Sequence, residues 1–411
     1  MAPRASRSRR VAWSAPRTRT LIAFLAFVLG LGTIPHRLCE RDAGAYFDGD
    51  PSAVDPLADS VARWTRDPSL TAGAFSTGSK RFDAEWLFGT YMMAAMGFGQ
   101  VALETNDPTR KRESIENMER CLDAVLGPAG RAFDRDAWGI DAIASTHAAP
   151  GSALDRGHVA YLGYAGLALG LHRVLVAESR FAKTDDEIAA ALTRRFEASR
   201  TGLLETYPGE VYPVDNAAAL GAIALHARAT GRDLPRGFVT GLTAVRTHGI
   251  DRDTGLVVQA VDPNDASPRD RARGSGTALA AYFLGFADRA TSAELYRAVH
   301  RELFRTVIGF GAVLEYANEA AAGRAGGKHG DIDSGPIVAG FGVSATGFAL
   351  GASRMNDDRD AFASIYATAH LFGAPYDTAR ERTFATGGPL GDAILFAMIT
   401  APRGHGKESA S

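Results

Sequence analysis

Cysteine is almost missing from this chain: its 411 residues contain two, Cys39 and Cys121. Two thiols 82 positions apart make none of the paired spacings that hold zinc or an iron–sulfur cluster, and they do not specify a disulfide. Cys39 follows His36, Arg37 and Leu38, where a lipid-modified cysteine would follow small residues. Strand-like alternation is also scarce, with Gly255–Val261 (GLVVQAV) the best candidate for a short hairpin arm. An excess of positive charge is lacking too. Residues 1–37 hold seven Arg and no acid, so the rest of the chain sets 38 Lys and Arg against 47 Asp and Glu, a balance of −9. An acidic body speaks against nucleic acid as the main partner, because binding phosphate needs concentrated positive charge.

One apolar run follows a basic stretch. Arg4, Arg7, Arg9, Arg10, Arg17 and Arg19 precede Leu21–Ile34 (LIAFLAFVLGLGTI), and Pro35 ends the run. Cations stay on the cytoplasmic side, so whatever follows such a run is expected outside the cytoplasm, periplasmic or secreted. The run is shorter than the roughly 20 residues of a full span, which favours a signal peptide over an anchor. No A-x-A cleavage site follows it, with Gly30 and Gly32 the only small pair. Residues 1–37 therefore read as a signal peptide or signal anchor, with membrane contact through residues 21–34 if it is uncleaved, and 38–52 as a linker.

Beyond residue 80 the chain becomes regular. Stretches rich in Ala, Gly and aliphatic residues run near 82–104, 157–177, 213–230, 274–287 and 333–354, with a weaker one at 389–400. Charged, amphipathic stretches follow most of them, at 108–126, 184–199, 234–248, 291–306 and 357–372. Thr184–Glu187 and Thr291–Glu294 have the form of capping boxes, and Gly231 and Gly249 sit where helices end. A helix apolar on nearly all sides must be buried on most faces, and an amphipathic one can cover it. Alternating the two at intervals of about 60 residues predicts an all-α fold, an (α/α)6 toroid over 53–402 with residues 53–65 in the closing partner and a flexible tail at 403–411. An open solenoid, the alternative, has shorter periods of about 34–47 residues.

The loops leading into the apolar helices collect acids and aromatics at what would be one mouth of the ring. Glu205–Asn216 (ETYPGEVYPVDN) presents Glu210, Asp215, Tyr207 and Tyr212 on a backbone stiffened by two prolines. Gly330–Pro336 offers Asp331 and Asp333, one able to cap a helix while the other stays free. Arg156–Tyr164 places His158 at a helix start, a position that suits a neutral general base, with Tyr164 beside it. Lys80–Trp86 contributes Asp83 and Trp86, and Arg273 brings positive charge to the fourth loop. For Asp215, Asp333 and His158 a purely structural part, as a cap or a satisfied core histidine, stands as the alternative.

The run from Gly157-His158 through Tyr207–Asn216, with the alternating helices and the export-like start, resembles the linalool dehydratase/isomerase-like family. The likeness is distant and spans most of residues 80–400. It implies an (α/α)6 barrel and cofactor-free acid–base chemistry on a small unsaturated alcohol, with His158 as a catalytic histidine and Asp83 as an acid on the first inner helix. The loop that carries two catalytic cysteines in the well-studied member has none here: Asp215 and a residue near Thr206 take those places. The expectation is an exported, cofactor-independent lyase, isomerase or hydratase of a small molecule, possible as a homo-oligomer and with no metal. A carbohydrate-active enzyme (glycoside hydrolase, polysaccharide lyase or epimerase) and a non-catalytic binding or scaffold protein are the alternatives, the former with a glycan as partner.

Overall fold

The structure, a computed structural model, describes residues 15–71, 73–317 and 335–404. Sixteen α-helices of four or more residues follow one another among them: α1 Ala15–Glu40, α2 Ala43–Asp48, α3 Pro51–Arg66, α4 Lys80–Glu104, α5 Pro108–Leu126, α6 Ala132–Trp138, α7 Ala142–Thr146, α8 Val159–Leu175, α9 Ala182–Ala198, α10 Pro213–Thr230, α11 Arg236–His248, α12 Gly274–Leu284, α13 Arg289–Glu302, α14 Val343–Met355, α15 Arg359–Gly373 and α16 Gly388–Ile399.

The nearly apolar helices α4, α8, α10, α12, α14 and α16 pack each against the next, and α16 returns to α4, so the ring closes. Outside them lie α5, α9, α11, α13, α15 and α3, the last against α16. This is the (α/α)6 toroid, and it excludes the open superhelix. Close approach within the inner ring depends on missing side chains. A Cβ on Gly163 of α8 would stand 3.0 Å from the Ala219 nitrogen and 3.2 Å from the Asp215 oxygen of α10. Toward the C-terminal ends of the inner helices the centre is filled: the Gln100 amide of α4 donates to the Tyr282 hydroxyl of α12 at 3.0 Å, and both side chains are fully buried. A cavity is left above this plug and a basin of about 1070 Å³ below it.

The buried guanidinium of Arg354 fastens the lower end. From α14 it donates to the Phe47 carbonyl at 3.1 Å, to both Glu104 carboxylate oxygens at 3.1 and 2.8 Å, and to the Ala401 carbonyl. It thereby joins α2, α4 and the chain that leaves α16.

Helix boundaries mostly follow the sequence pattern, with informative departures. Thr184 does not start a helix: α9 begins at Ala182, and Asp185 is buried against Arg173 and His226 at 2.9 and 2.8 Å. The cap of α13 is Asp288, whose carboxylate accepts from the Thr291 backbone N–H. The fourth amphipathic stretch stops as helix at Glu302, because Phe304–Val307 is β-prone and pairs as β1 with β2, Phe310–Val313. The fifth inner helix starts at Val343, after a small hairpin of β3 (Ile337–Val338) and β4 (Phe341–Gly342). A third hairpin joins β5 (Pro375–Asp377) to β6 (Arg382–Phe384). Residues 255–261 form isolated bridges to Ile250, Val211, Pro268 and Ala272 in place of a regular arm. No helix among the described residues is long and apolar enough to cross a membrane.

Candidate active site

All six inner helices run the same way because an outer helix returns the chain between them, so their N-termini share one mouth. A cavity of about 390 Å³ opens there. Its polar wall is Arg81, Glu85, Tyr164, Tyr207, Glu210, Tyr212, Asp215, Gln259, Arg273 and Ser275, and its floor is Met92, Met93, Leu279, Phe348, Leu390 and Ile394. Trp86 and Phe82 complete the rim, and buried Phe133 lies in the wall.

The 205–216 loop is built so that Asp215 faces this space. Pro213 occupies the first turn of α10, and Asn216 locks the loop from below, its amide donating to the Leu204 carbonyl while its oxygen accepts from the Leu204 N–H. Both Asp215 carboxylate oxygens then accept from hydroxyls: Oδ1 from Tyr164 at 2.8 Å and Oδ2 from Thr206 at 2.9 Å. Glu210 on the exposed rim accepts from the Tyr212 hydroxyl at 2.7 Å.

Two phenols lie among the carboxylates. Burial, followed by the charges of Asp215 and Glu85, holds the Tyr164 hydroxyl well above the ordinary phenol range. Tyr207 is likewise held up by burial, then by Glu85 and Asp215, against the opposing pull of Arg81. Both phenols are therefore proton-bearing donors at neutral pH, and one electrostatic cluster contains Glu85, Asp215, Tyr164 and Tyr207. The Arg81 guanidinium lies 3.7 Å from the centre of the Tyr207 ring, a cation–π contact that fixes the ring over the cavity.

Glu210, Asp215, Trp86, Tyr164, Tyr207, Tyr212 and Arg273, seven residues singled out in the sequence, line this one cavity. Two others do not. Asp83 turns away and closes the preceding turn, its Oδ1 accepting from the N–H and hydroxyl of Thr77, both at 2.8 Å. His158 is fully buried behind the wall, in left-handed backbone (φ 51°), with its ring stacked on Trp138 and its Nδ1 2.7 Å from Asp134 Oδ2. The reason is the close fit at Gly157, where a Cβ would stand 2.0 Å from the Glu205 oxygen: the chain enters α8 wedged under the 205–216 loop and its histidine is driven inward. Asp331 and Asp333 lie outside the described residues.

Sequence reading passed over Glu85 as a catalytic candidate in favour of Asp83. The signal was helical spacing. Arg81, Glu85, Gly89 and Met92/Met93 recur every three or four positions and share one face of α4, whereas Asp83 stands two residues out of that phase. Glu315 had no such signal. It lies just beyond β2, fully buried, and its carboxylate accepts from Ser275 on the cavity wall at 2.6 Å.

Among the described residues one carboxylate–histidine trio, Asp185, Asp186 and His226, has the spacing of a metal site. Arg173 already bonds both aspartates there. The trio is remote from the cavity wall.

No known protein family and no curated protein matches this sequence. Solved structures do share its shape. A glycoside hydrolase of family 105 from C. acetobutylicum superposes with a TM-score of 0.49 at 10% identity, covering 83% of this chain and 98% of its own. An unsaturated glucuronyl hydrolase specific for heparin gives 0.49 at 10%, covering 84% and 96%. The unsaturated glucuronyl hydrolase of Bacillus sp. GL1, responsible for the degradation of glycosaminoglycan, gives 0.46 at 12%, covering 76% and 85%. These neighbours are sugar-directed enzymes, not dehydratases of terpene alcohols.

Proposed function

We propose that this chain is an acid–base enzyme acting on the end of a saccharide, with Asp215 and Glu85 as its two working carboxylates. The observation that carries the reading is the cluster itself: Asp215, Glu85 and two proton-bearing phenols, Tyr164 and Tyr207, line one cavity, with Tyr164 donating to Asp215 and with Trp86 and Tyr212 as flat faces on the rim. Aromatic faces and carboxylates are what a sugar ring requires, the first for its C–H surface and the second for its hydroxyls and for proton transfer. In hydrolysis one carboxyl group gives its proton to the departing glycosidic oxygen. The other carboxylate takes a proton from the incoming water or attacks the anomeric carbon itself, so that the elements of water are added across the broken bond. Asp215, fixed as a double acceptor, suits the second part, and Glu85 suits the first.

The apolar floor favours a second reading, a small unsaturated alcohol whose hydrocarbon tail would rest on Met92, Met93, Phe348 and Ile394. Incubating the protein with a panel of oligosaccharides, including unsaturated uronides, and with a panel of allylic alcohols separates the two. Turnover of a saccharide that Asp215→Asn abolishes supports the first; turnover of alcohols alone overturns it.

A further inference from the structure

The N-terminal helix α1 has a property that the ring does not use. Its last part packs against α15, with Cys39 buried and the His36 ring edge-on to Phe310 at 5.3 Å. Leu21, Ile22, Phe24, Leu25 and Phe27 are 50–62% exposed. At 100° per residue these five directions leave no wide polar stripe, and the positions between them are Ala23 and Ala26. A groove on a protein partner covers one side of a helix. A helix that is apolar all round calls for a surrounding apolar phase.

Two further exposed apolar sites flank it. The β1–β2 hairpin tip carries Val307 and Ile308, 56% and 63% exposed, and its next residue, Gly309, lies directly against the His36 ring. Leu371 and Phe372, 47% and 66% exposed, end α15, the helix on which α1 rests. Ahead of the apolar stretch come six arginines with no acid among them, matched to the anionic headgroups of a bilayer.

We infer that the toroid is held on a lipid bilayer, with α1 inserted from about residue 20 to 34 and Val307, Ile308, Leu371 and Phe372 resting in the headgroup layer beside it. Residues 21–34 reach about 21 Å at 1.5 Å per residue. That falls short of a hydrocarbon core of about 30 Å, so the inserted helix draws its basic flank and the neighbouring ring surface into the interface. The inference does not depend on the activity proposed above.

Vesicle flotation of the full chain tests it, with vesicles of phosphatidylcholine alone and of three parts phosphatidylcholine to one part phosphatidylglycerol. The chain is expected to float with both, more completely with the anionic mixture. Phe24→Glu/Phe27→Glu is expected to lose flotation while melting unchanged, since both side chains are mostly exposed. An environment-sensitive dye on Ile308→Cys is expected to shift to the blue on vesicle addition, and the same dye on Val239→Cys of α11 is not; the native thiols are both buried. A chain that stays at the bottom of the gradient, sediments as a dimer without lipid, or starts after residue 34 when isolated from its own cell overturns the inference. So does an unshifted dye at position 308.

Discussion

His158 Nδ1 and Asp134 Oδ2 lie 2.7 Å apart with neither side chain reaching solvent, and the pair supports the cavity wall from behind. Phe133, next to Asp134, is on that wall, and the Val159 N–H, next to His158, donates to the Glu205 carbonyl beneath the 205–216 loop. Removing one partner strands the other in a dry site. His158→Ala is expected to cost about 2–4 kcal/mol of stability, as is usual for a buried polar group left unpaired. Urea denaturation measures this, and a variant as stable as the parent contradicts the supporting role.

Asp215→Asn keeps an oxygen to accept from Tyr164 but cannot exchange protons. Turnover is expected to fall by about 10²–10⁴-fold, the range for loss of one acid–base group, with the melting temperature nearly unchanged. Glu85→Gln is expected to fall in the same range. Glu210→Gln, on the exposed rim, is expected to raise KM more than it lowers kcat. Steady-state kinetics of the three variants on one substrate is the measurement.

Asp392 predicts a pH dependence of stability. It is buried on α16, and burial, opposed by the Phe384 N–H that it accepts, pushes its carboxyl from 3.8 up to about 7. Between those values the folded chain binds a proton that the unfolded chain has lost. Stability from this group is therefore fully present below about pH 4, falls by about 1 kcal/mol per pH unit as pH rises toward 7, and is flat above. Asp392→Asn, which can still accept from Phe384, is expected to remove this component of the slope and to be more stable than the parent at pH 8. Paired urea titrations at pH 5 and pH 8 check the sign.

Arg354→Met is expected to destabilise the ring by about 3 kcal/mol or more, since it strands Glu104 and two buried carbonyls together. Thermal unfolding of the variant, with Arg354→Lys beside it, tests whether the fork of donors is needed; lysine can reach only part of the set.

The ring was legible in the sequence because burial on nearly every face leaves a compositional mark that does not depend on exact boundaries: Pro213–Thr230 and Pro108–Leu126 are helices over the very spans read from composition. The mouth was legible for the same reason, since Asp215, Tyr207 and Tyr164 had to lie near inner-helix starts. Orientation was not. Asp83 and Glu85 are equivalent in type, and only the phase of α4 separates the one that closes a turn from the one that faces the cavity. His158 was misplaced because its direction is set by a contact 48 residues further along, between Gly157 and Glu205, which no local pattern records.

The return of α16 to α4, locked by Arg354, also restricts how such a chain can diversify. An open array can gain or lose a hairpin at either end and keep every remaining interface. A closed circle of six offers no free end, and a seventh hairpin or a missing one would change the angle at every junction at once. Inheritable change is thereby directed away from repeat number and into the connections above the mouth, which differ widely in length here, from residues 199–212 before Pro213 to residues 127–158 between Leu126 and Val159, which carry two helices of their own.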